Sequence, residues 1–330
     1  MQRPLVLLTR PKWPANPAAS TQAAPACVVC GGTDWRVLHR GLNDPRSPDA
    51  GPHDVMACQS CGAGRTWPPP SAAELASLYE TTYAPGLVPD LEAIAEATAA
   101  LKADHDGPAP WWRRLNATDV PALLHLSPTA GELPQDGTAL DVGAHNGETL
   151  AWLAAAGFDV AGLEPNPASA RAAADLGFEI RQEALETANL PAARYDLVTL
   201  SCVIEHLPDP AEALRKLYAA LKPGGRLLLT THNLASPWRR VFGRRWINWH
   251  PPFHLHHFDA KALCRLAATN GYRVRHVESR TPVYWLVYSW RGEDAAPPPP
   301  RKLIRLGWLA RLIDRLFGGD CLILILERPA

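Results

Sequence analysis

Apolar and polar positions follow two different rhythms along this chain. From residue 138 onward, short runs dominated by apolar residues recur at 138–142, 158–163, 178–182, 196–201, 225–231, 272–278 and 321–326. Runs of that length, several rich in Val, Leu and Ile, read as strands. Helical spacing between them predicts helices packed on a mostly parallel sheet. The expected fold class is therefore α/β, a doubly wound, mostly parallel, seven-stranded sheet of Rossmann-like type. Before residue 136 the rhythm is lost. Ser71 to Tyr79 reads as a helix whose Ser71 and Glu74 form a capping box. Asp90 to Ala103 reads as a second helix, and Trp112 to Leu126 as an interrupted third. The division predicted is a disordered tail at 1–26, a cysteine-bearing module at 27–70, a helical linker or cap at 71–135, and the α/β domain at 136–330.

Composition changes this picture in two places. The 33 prolines of the 330-residue chain cluster near its start, at Pro68 to Pro70 and at Pro297 to Pro300, marking tail, linker and loop. No apolar run approaches the roughly 20 residues of a membrane span. Leu5 to Leu8 is too short for a signal-peptide core. A cytoplasmic protein is expected. Net charge is zero, but Met1 to Leu221 holds 15 Lys+Arg against 26 Asp+Glu, while Lys222 to Phe317 holds 17 against 5. A basic face of this kind suits an anionic substrate or an anionic membrane surface.

Four of the seven cysteines fall as Cys27-x-x-Cys30 and Cys58-x-x-Cys61, each pair followed at once by Gly. A Cys-x-x-Cys turn puts two sulfurs on one side of a knuckle, and Gly accepts the positive φ that the turn demands. Two knuckles supply four thiolates, the donor set of a closed tetrahedral structural Zn²⁺ site. A disulfide framework is the competing reading, disfavoured in a chain without a signal segment. Cys202, Cys264 and Cys321 read as small buried apolar residues.

The densest chemical signal is Leu140-Asp-Val-Gly-Ala-His-Asn-Gly-Glu-Thr-Leu150. It reads as strand, tight turn and helix, with glycines that let backbone approach a ligand and a helix N-terminus facing it. A second strand ends in Glu164, placed to accept hydrogen bonds from a ribose. "YDLVTLSCVIEHLPDP" (195–210) and "LKPGGRLLLTTHN" (221–233) follow in order. These segments together resemble the class I S-adenosylmethionine-dependent methyltransferases, in their small-molecule branch, from about residue 136 to the C-terminus. One departure is His145, where that family usually carries Gly; a slightly reshaped loop is expected, since His tolerates positive φ better than most residues. The resemblance implies S-adenosylmethionine as cofactor. Asp141, Gly143, His145 and Gly147 would surround its methionine part, Glu164 its ribose, the backbone near Leu185 its adenine, and Ser201 its sulfonium. The cysteine module followed by "SLYETTYAP" resembles a bacterial group that includes sugar-modifying methyltransferases and enzymes of glycan and secondary-metabolite pathways. The deoxysugar enzymes of that group carry a further C-terminal domain that this chain lacks.

The stretch from Thr231 to Asp259 is long for a strand-to-helix connection and holds four arginines and five histidines. Long structured loops at a sheet's exit are commonly functional. O-methylation removes a proton, and histidine has a suitable pKa. His254 is the first candidate for a general base, followed by His256, His257 and His206. In related quinone O-methyltransferases an acidic residue and a Glu-His pair near this turn can hold a divalent metal, but here the first acidic position is Cys202, beside Glu205 and His206. Residues 301–317 can form an amphipathic helix, with Leu303, Leu306, Leu309, Ile313, Leu316 and Phe317 on one face and Arg301, Arg305, Arg311 and Arg315 opposite. It would either pack on its own protein or make peripheral contact with the inner face of an anionic membrane.

The expected function is methyl transfer, by default to oxygen, on a small molecule, a sugar or a lipid-linked glycan. An RNA methyltransferase docking nucleic acid through the ribbon is the first rival, weakened because residues 27–70 show no basic stripe. A non-catalytic binding protein that kept the fold is the second, resting only on His145.

Overall fold

A computed structural model describes residues 25–44, 50–71, 73–75, 77, 88–106, 132–292 and 300–330. The helix expected at 112–126 and nearly all of the tail at 1–26 lie outside these residues, as does much of Ser71 to Tyr79. The capping box at its start is present: Ser71 N donates to Glu74 Oε2 (2.7 Å) and Glu74 N to Ser71 Oγ (3.2 Å).

A seven-stranded sheet forms the body. Its strands are β4 (Gly137–Val142), β5 (Phe158–Leu163), β6 (Glu179–Arg181), β7 (Tyr195–Ser201), β8 (Leu221–His232), β10 (Arg273–Arg280) and β11 (Cys321–Glu327), in the order β10-β11-β8-β7-β4-β5-β6. The five strands from β8 to β6 pair in parallel. Only β11 runs against its neighbours in this sheet, antiparallel to both β10 and β8. Seven strands and a mostly parallel sheet agree with the sequence expectation.

Helices cover both faces. Helix α2 (Glu148–Ala156) follows β4, α3 (Pro167–Asp175) follows β5, α4 (Pro210–Ala220) follows β7, and α6 (Ala260–Thr269) precedes β10. Local chemistry starts several of them: Asn166, Asp209 and Asp259 each accept from backbone N–H groups of the first helical turn, satisfying donors the helix leaves free. Helix α1 (Leu91–Asp106) packs against α2. One core lies between the sheet, α4 and α6; it includes Leu200, Leu214, Leu229 and Leu263, and it continues into Val29 and Cys58 of the cysteine module.

The cysteine module is a small sheet of β1 (Trp35–Leu42), β2 (His53–Cys58) and β3 (Gly64–Trp67). It gains a fourth strand from far along the chain. β9 (His256–His257), inside the long loop after β8, pairs antiparallel with β3 in the register Gly64↔His257 and Arg65↔His256. Approach is close enough that a Cβ on Gly64 would stand 2.8 Å from the His257 Cβ. The ribbon is thus built onto the histidine loop rather than tethered to it.

Helix α8 (Pro300–Phe317) corrects the expected single apolar face. Leu306, Ala310 and Ile313 pack on Trp238 and Leu286, the latter from α7 (Val283–Arg291). Leu309, Leu316 and Phe317 are exposed, together with Trp308 and Leu312. Arg311 is turned inward, where it pairs with Asp314 at 3.2 Å. The apolar residues are spread around more of the helix than one stripe, so packing takes one side and leaves another bare. Among the described residues no helix is long and apolar enough to cross a membrane.

Candidate functional site

In open α/β sheets ligands bind beyond the carboxyl ends of the strands, where the strand order reverses. Here that point is β4, with β5 and β6 on one side and β7 and β8 on the other. Asp141 is buried near the end of β4 and accepts a hydrogen bond from Thr199 of β7. Burial pushes its carboxyl up to about 7, against the Thr199 bond, which lowers it. Gly143 follows at φ 76°; a Cβ there would lie 2.6 Å from Val203, so only glycine fits the turn. His145 stands at φ 46°, the left-handed conformation expected of it, and the loop is intact.

Glu164 does more than end β5. Its Oε2 accepts from His145 N and its Oε1 from Asn166 N, both at 2.8 Å. One carboxylate therefore braces the glycine loop against the start of α3. Each oxygen keeps a further lone pair, so two hydroxyls of a ribose can still be accommodated. The first turn of α3 is capped by Asn166, not by Glu164. Leu185 is buried just beyond β6, and Ser201 ends β7 with its hydroxyl 3.0 Å from that of Thr230. Asp141, Gly143, His145, Gly147 and Glu164 gather at the carboxyl ends of neighbouring strands β4 and β5, with Ser201 at the end of β7. This arrangement fits S-adenosylmethionine, because a buried carboxylate with lone pairs to spare lies beside a glycine turn at a helix N-terminus.

A second, buried cluster of polar side chains begins four residues after Ser201. Glu205 is fully buried, and its backbone carbonyl accepts from Leu255 N (2.8 Å) and His256 N (3.0 Å). That double bond to backbone pins the histidine loop over the ends of β7 and β8. His232, the last residue of β8, stacks on His254 with centroids 4.7 Å apart and planes 6° from parallel. His254 also meets His206 edge-on at 4.7 Å and His250 at 4.9 Å. His250 in turn faces Asp44 of the ribbon at 3.4 Å. Burial opposes charge on Glu205, but its contacts with His232 and then His206 outweigh that and hold its carboxyl below the ordinary value. Burial first, then His206, His232, His250 and His257, hold His254 well below the usual imidazole value.

The predicted histidines thus separate. His254 lies inside the pocket, its Nδ1 2.8 Å from the Asn248 carbonyl. His206 is half-buried at its edge. His257 is fully buried between His232 and Thr66. His256 points elsewhere: its ring stacks on Phe258 and its Nε2 lies 3.4 Å from the Pro208 carbonyl. Burial and Arg65 push it down to about 4. His232 and Thr66 were missed from sequence. Their only signal was indirect, a histidine closing "LLLTTH" and a polar residue facing inward on a ribbon strand. Cys202, weighed as a metal ligand, sits in left-handed conformation with its thiol raised by burial and by Glu205.

The four ribbon cysteines converge. Cys27 and Cys61 sulfurs are 3.5 Å apart, as are those of Cys30 and Cys58, and all four lie within 4.8 Å of one another. The knuckles are near copies: Gly31 N donates to the Cys27 carbonyl and Gly62 N to the Cys58 carbonyl, each at 2.8 Å, with both glycines at positive φ. The hydrogen bond from Cys61 pulls the Cys27 thiol down to about 5, and the same contact raises Cys61. Sulfurs around a zinc ion with bonds of ~2.3 Å stand about 3.8 Å apart, so the donor set and its spacing fit. Of the remaining cysteines Cys321 is buried, whereas Cys202 and Cys264 are only partly so.

A family model described as a methyltransferase domain matches residues 112–277, half of the chain. The ubiquinone biosynthesis O-methyltransferase of Bordetella avium is 33% identical over 138 residues, 38% of this chain and 57% of that protein. Its counterpart in Leptothrix cholodnii is 28% identical over 202 residues, 53% of this chain and 85% of that protein. The chain covers 57% of the length of the B. avium protein and 64% of that of its counterpart in Bordetella bronchiseptica. An S-adenosylmethionine-dependent methyltransferase from Mesorhizobium loti, known by crystal structure, is 19% identical with a TM-score of 0.45, over 60% of this chain and 95% of that one. The glycine turn, the acidic strand ends and the matched domain lead to one conclusion: the chain belongs to the methyltransferase domain family.

Proposed function

We propose that this protein transfers a methyl group from S-adenosylmethionine to an oxygen atom of a small molecule, with the acceptor in the histidine pocket. The observation that carries the reading is the continuity of the two sites. Ser201 ends β7 beside the cofactor crevice, and Glu205 and His206 follow on the same turn. The names of the ubiquinone biosynthesis O-methyltransferases support oxygen as the acceptor atom.

S-adenosylmethionine supplies a methyl group on a sulfonium. In this reading Glu164 would accept the ribose hydroxyls, the turn from Gly143 to Gly147 with Asp141 would hold the methionine part, and Ser201 would border the sulfonium. Leu185 borders the adenine. The acceptor oxygen takes the methyl in line while its proton passes to a base. We assign that base to His206 rather than His254. A base works best with a pKa near the operating pH; His254 is buried, held well below that range, and already engaged with Asn248. His206 stands half-buried at the pocket's edge. The ribbon's part is to wall the pocket through Asp44 and Thr66, with structural Zn²⁺ on its four cysteines holding it in shape.

The test is turnover by purified protein on a panel of hydroxylated acceptors, quinols and sugars among them. His206→Ala should lower turnover by roughly 10²–10⁴-fold while cofactor affinity stays nearly unchanged. Full activity in that variant would refute base catalysis from His206. A sugar or lipid-linked glycan acceptor is a second reading, favoured by the exposed Trp308, Leu309, Leu312, Leu316 and Phe317 of α8 beside exposed Arg305 and Arg315. Such a face suits the surface of an anionic membrane.

A further inference from the structure

Follow the protons through the histidine pocket. Thr66 has one hydroxyl proton, and its oxygen donates to the His254 carbonyl. The His257 Nε2 that lies 3.1 Å from the same oxygen must therefore donate to it. Buried and neutral, His257 is left with a bare Nδ1. That atom is 2.9 Å from His232 Nε2, so His232 Nε2 is the donor there, and in a neutral ring this leaves its Nδ1 bare. On the other side, His254 Nδ1 donates to the Asn248 carbonyl, which leaves His254 Nε2 bare.

Both bare nitrogens belong to rings that meet Glu205. His232 Nδ1 lies 3.6 Å from Glu205 Oε1, too far for a hydrogen bond. Neither His232 Nδ1 nor Glu205 Oε2 has a hydrogen-bond partner among the described residues, although Glu205 and His232 are each only 1% exposed. Two imidazoles with a bare nitrogen each and a carboxylate are thus buried side by side. An arrangement of three acceptors is costly unless a cation neutralises it. One ligand atom from each of Glu205, His232 and His254 lies within 4.8 Å of the others. Tetrahedral ligands at bonds of ~2.1 Å stand about 3.4 Å apart, so closing the set takes side-chain shifts of about an ångström and a turn of one imidazole out of its stack.

We propose that Glu205, His232 and His254 bind a divalent first-row transition-metal ion, separate from the four-cysteine site. Two imidazoles and one carboxylate are a recurrent donor set for such ions and leave at least one position open. The outer contacts are those a metal site needs: each ring's other nitrogen donates to a fixed acceptor, His232 to His257 and on to Thr66, His254 to Asn248. This set keeps Glu205 of the turn but takes its nitrogens from the end of β8 and from the loop, in place of Cys202 and His206. The ion would join three segments distant in sequence: the turn after β7, the end of β8 and the histidine loop. Through Thr66 it would also join the ribbon to them.

Crystals of the full chain soaked in Co²⁺ test this by anomalous diffraction at the cobalt edge. The expected map has a peak bonded to Glu205, His232 Nδ1 and His254 Nε2. A peak at the four cysteines with none at this pocket overturns the proposal, because the soak has then delivered metal and the pocket has refused it. In solution, Co²⁺ bound here should give visible bands without thiolate charge transfer. Glu205→Gln should abolish those bands, and Thr66→Val, which keeps the side-chain shape, should weaken Co²⁺ binding by roughly 10–100-fold, the cost of losing an outer contact. If Glu205→Gln does not fold, Thr66→Val decides: unchanged affinity for the band-giving ion contradicts the site.

Discussion

The cofactor crevice and the histidine pocket lie side by side at the end of one sheet, yet they are built in opposite ways. The crevice is made locally. Asp141, Gly143, His145 and Gly147 come from one strand, turn and helix, and Glu164 braces that turn through two backbone N–H groups. The pocket is made at long range. Glu205, His232, His254 and Thr66 come from four segments, joined by pairing between β3 and β9. The crevice should therefore tolerate injury to the ribbon, whereas the pocket should not. In the proposed function, cofactor chemistry sits on the local frame and acceptor chemistry where two modules meet.

The strongest way to break this contrast is at the zinc knuckles. Cys58→Ser should sharply reduce the yield of folded protein, since the metal's binding energy is part of the folding energy, ~10–16 kcal/mol in zinc-finger peptides. Metal analysis of the native protein should find Zn²⁺ at the four cysteines; protein that is folded, stable and zinc-free would remove the ribbon's staple from the account. In whatever soluble fraction remains, cofactor binding should survive better than turnover.

A smaller effect is expected from the crevice itself. Glu164→Ala should weaken S-adenosylmethionine binding by about 10- to 100-fold, the loss of two charge-assisted hydrogen bonds partly replaced by water. The variant also loses the brace on His145 N and Asn166 N, so loop mobility should rise in hydrogen exchange. Unchanged affinity would mean that the ribose is held elsewhere.

Acidity separates the two regions more gently. Asp141 has its folded carboxyl raised to about 7 from 3.8, chiefly by burial. Between those values the folded protein holds a proton that the unfolded chain has released, so stability from this group is lost as pH rises. Asp141→Asn should therefore gain on the wild type by up to ~1.4 kcal/mol per pH unit across that window, read from urea unfolding at pH 5 and pH 7. A stability difference independent of pH would show that Asp141 is ionised throughout.

The membrane reading predicts the weakest effect. Anionic liposomes should capture the protein through α8, and about 0.5 M salt should release part of it, because exposed charges are screened. Leu312→Glu with Leu316→Glu should abolish capture without altering the fold, since both side chains are exposed. Capture that persists in that variant would move the contact to another face.

What could be read from the sequence follows the same division. Strands β4, β5 and β11 came within one residue of their expected ends, because strands covered on both faces write continuous apolar runs into the chain. Glu164 and the left-handed His145 were legible because their partners are near in sequence. β9 was not: two histidines carry no strand signal, and only the ribbon 190 residues earlier makes them one. Nor does anything in one dimension show that His232, the last residue of its strand, stacks on His254. Helix α8 misled for a different reason, its apolar residues being too many to share one face.

The central claim, that a locally built cofactor crevice serves an acceptor pocket built with the ribbon, is tested most directly by calorimetric titration of S-adenosylmethionine into the wild type, Glu164→Ala and His206→Ala. The account predicts one cofactor bound per wild-type chain, binding weakened in Glu164→Ala, and wild-type affinity in His206→Ala. No binding to the wild type, or equal loss in both variants, would contradict it.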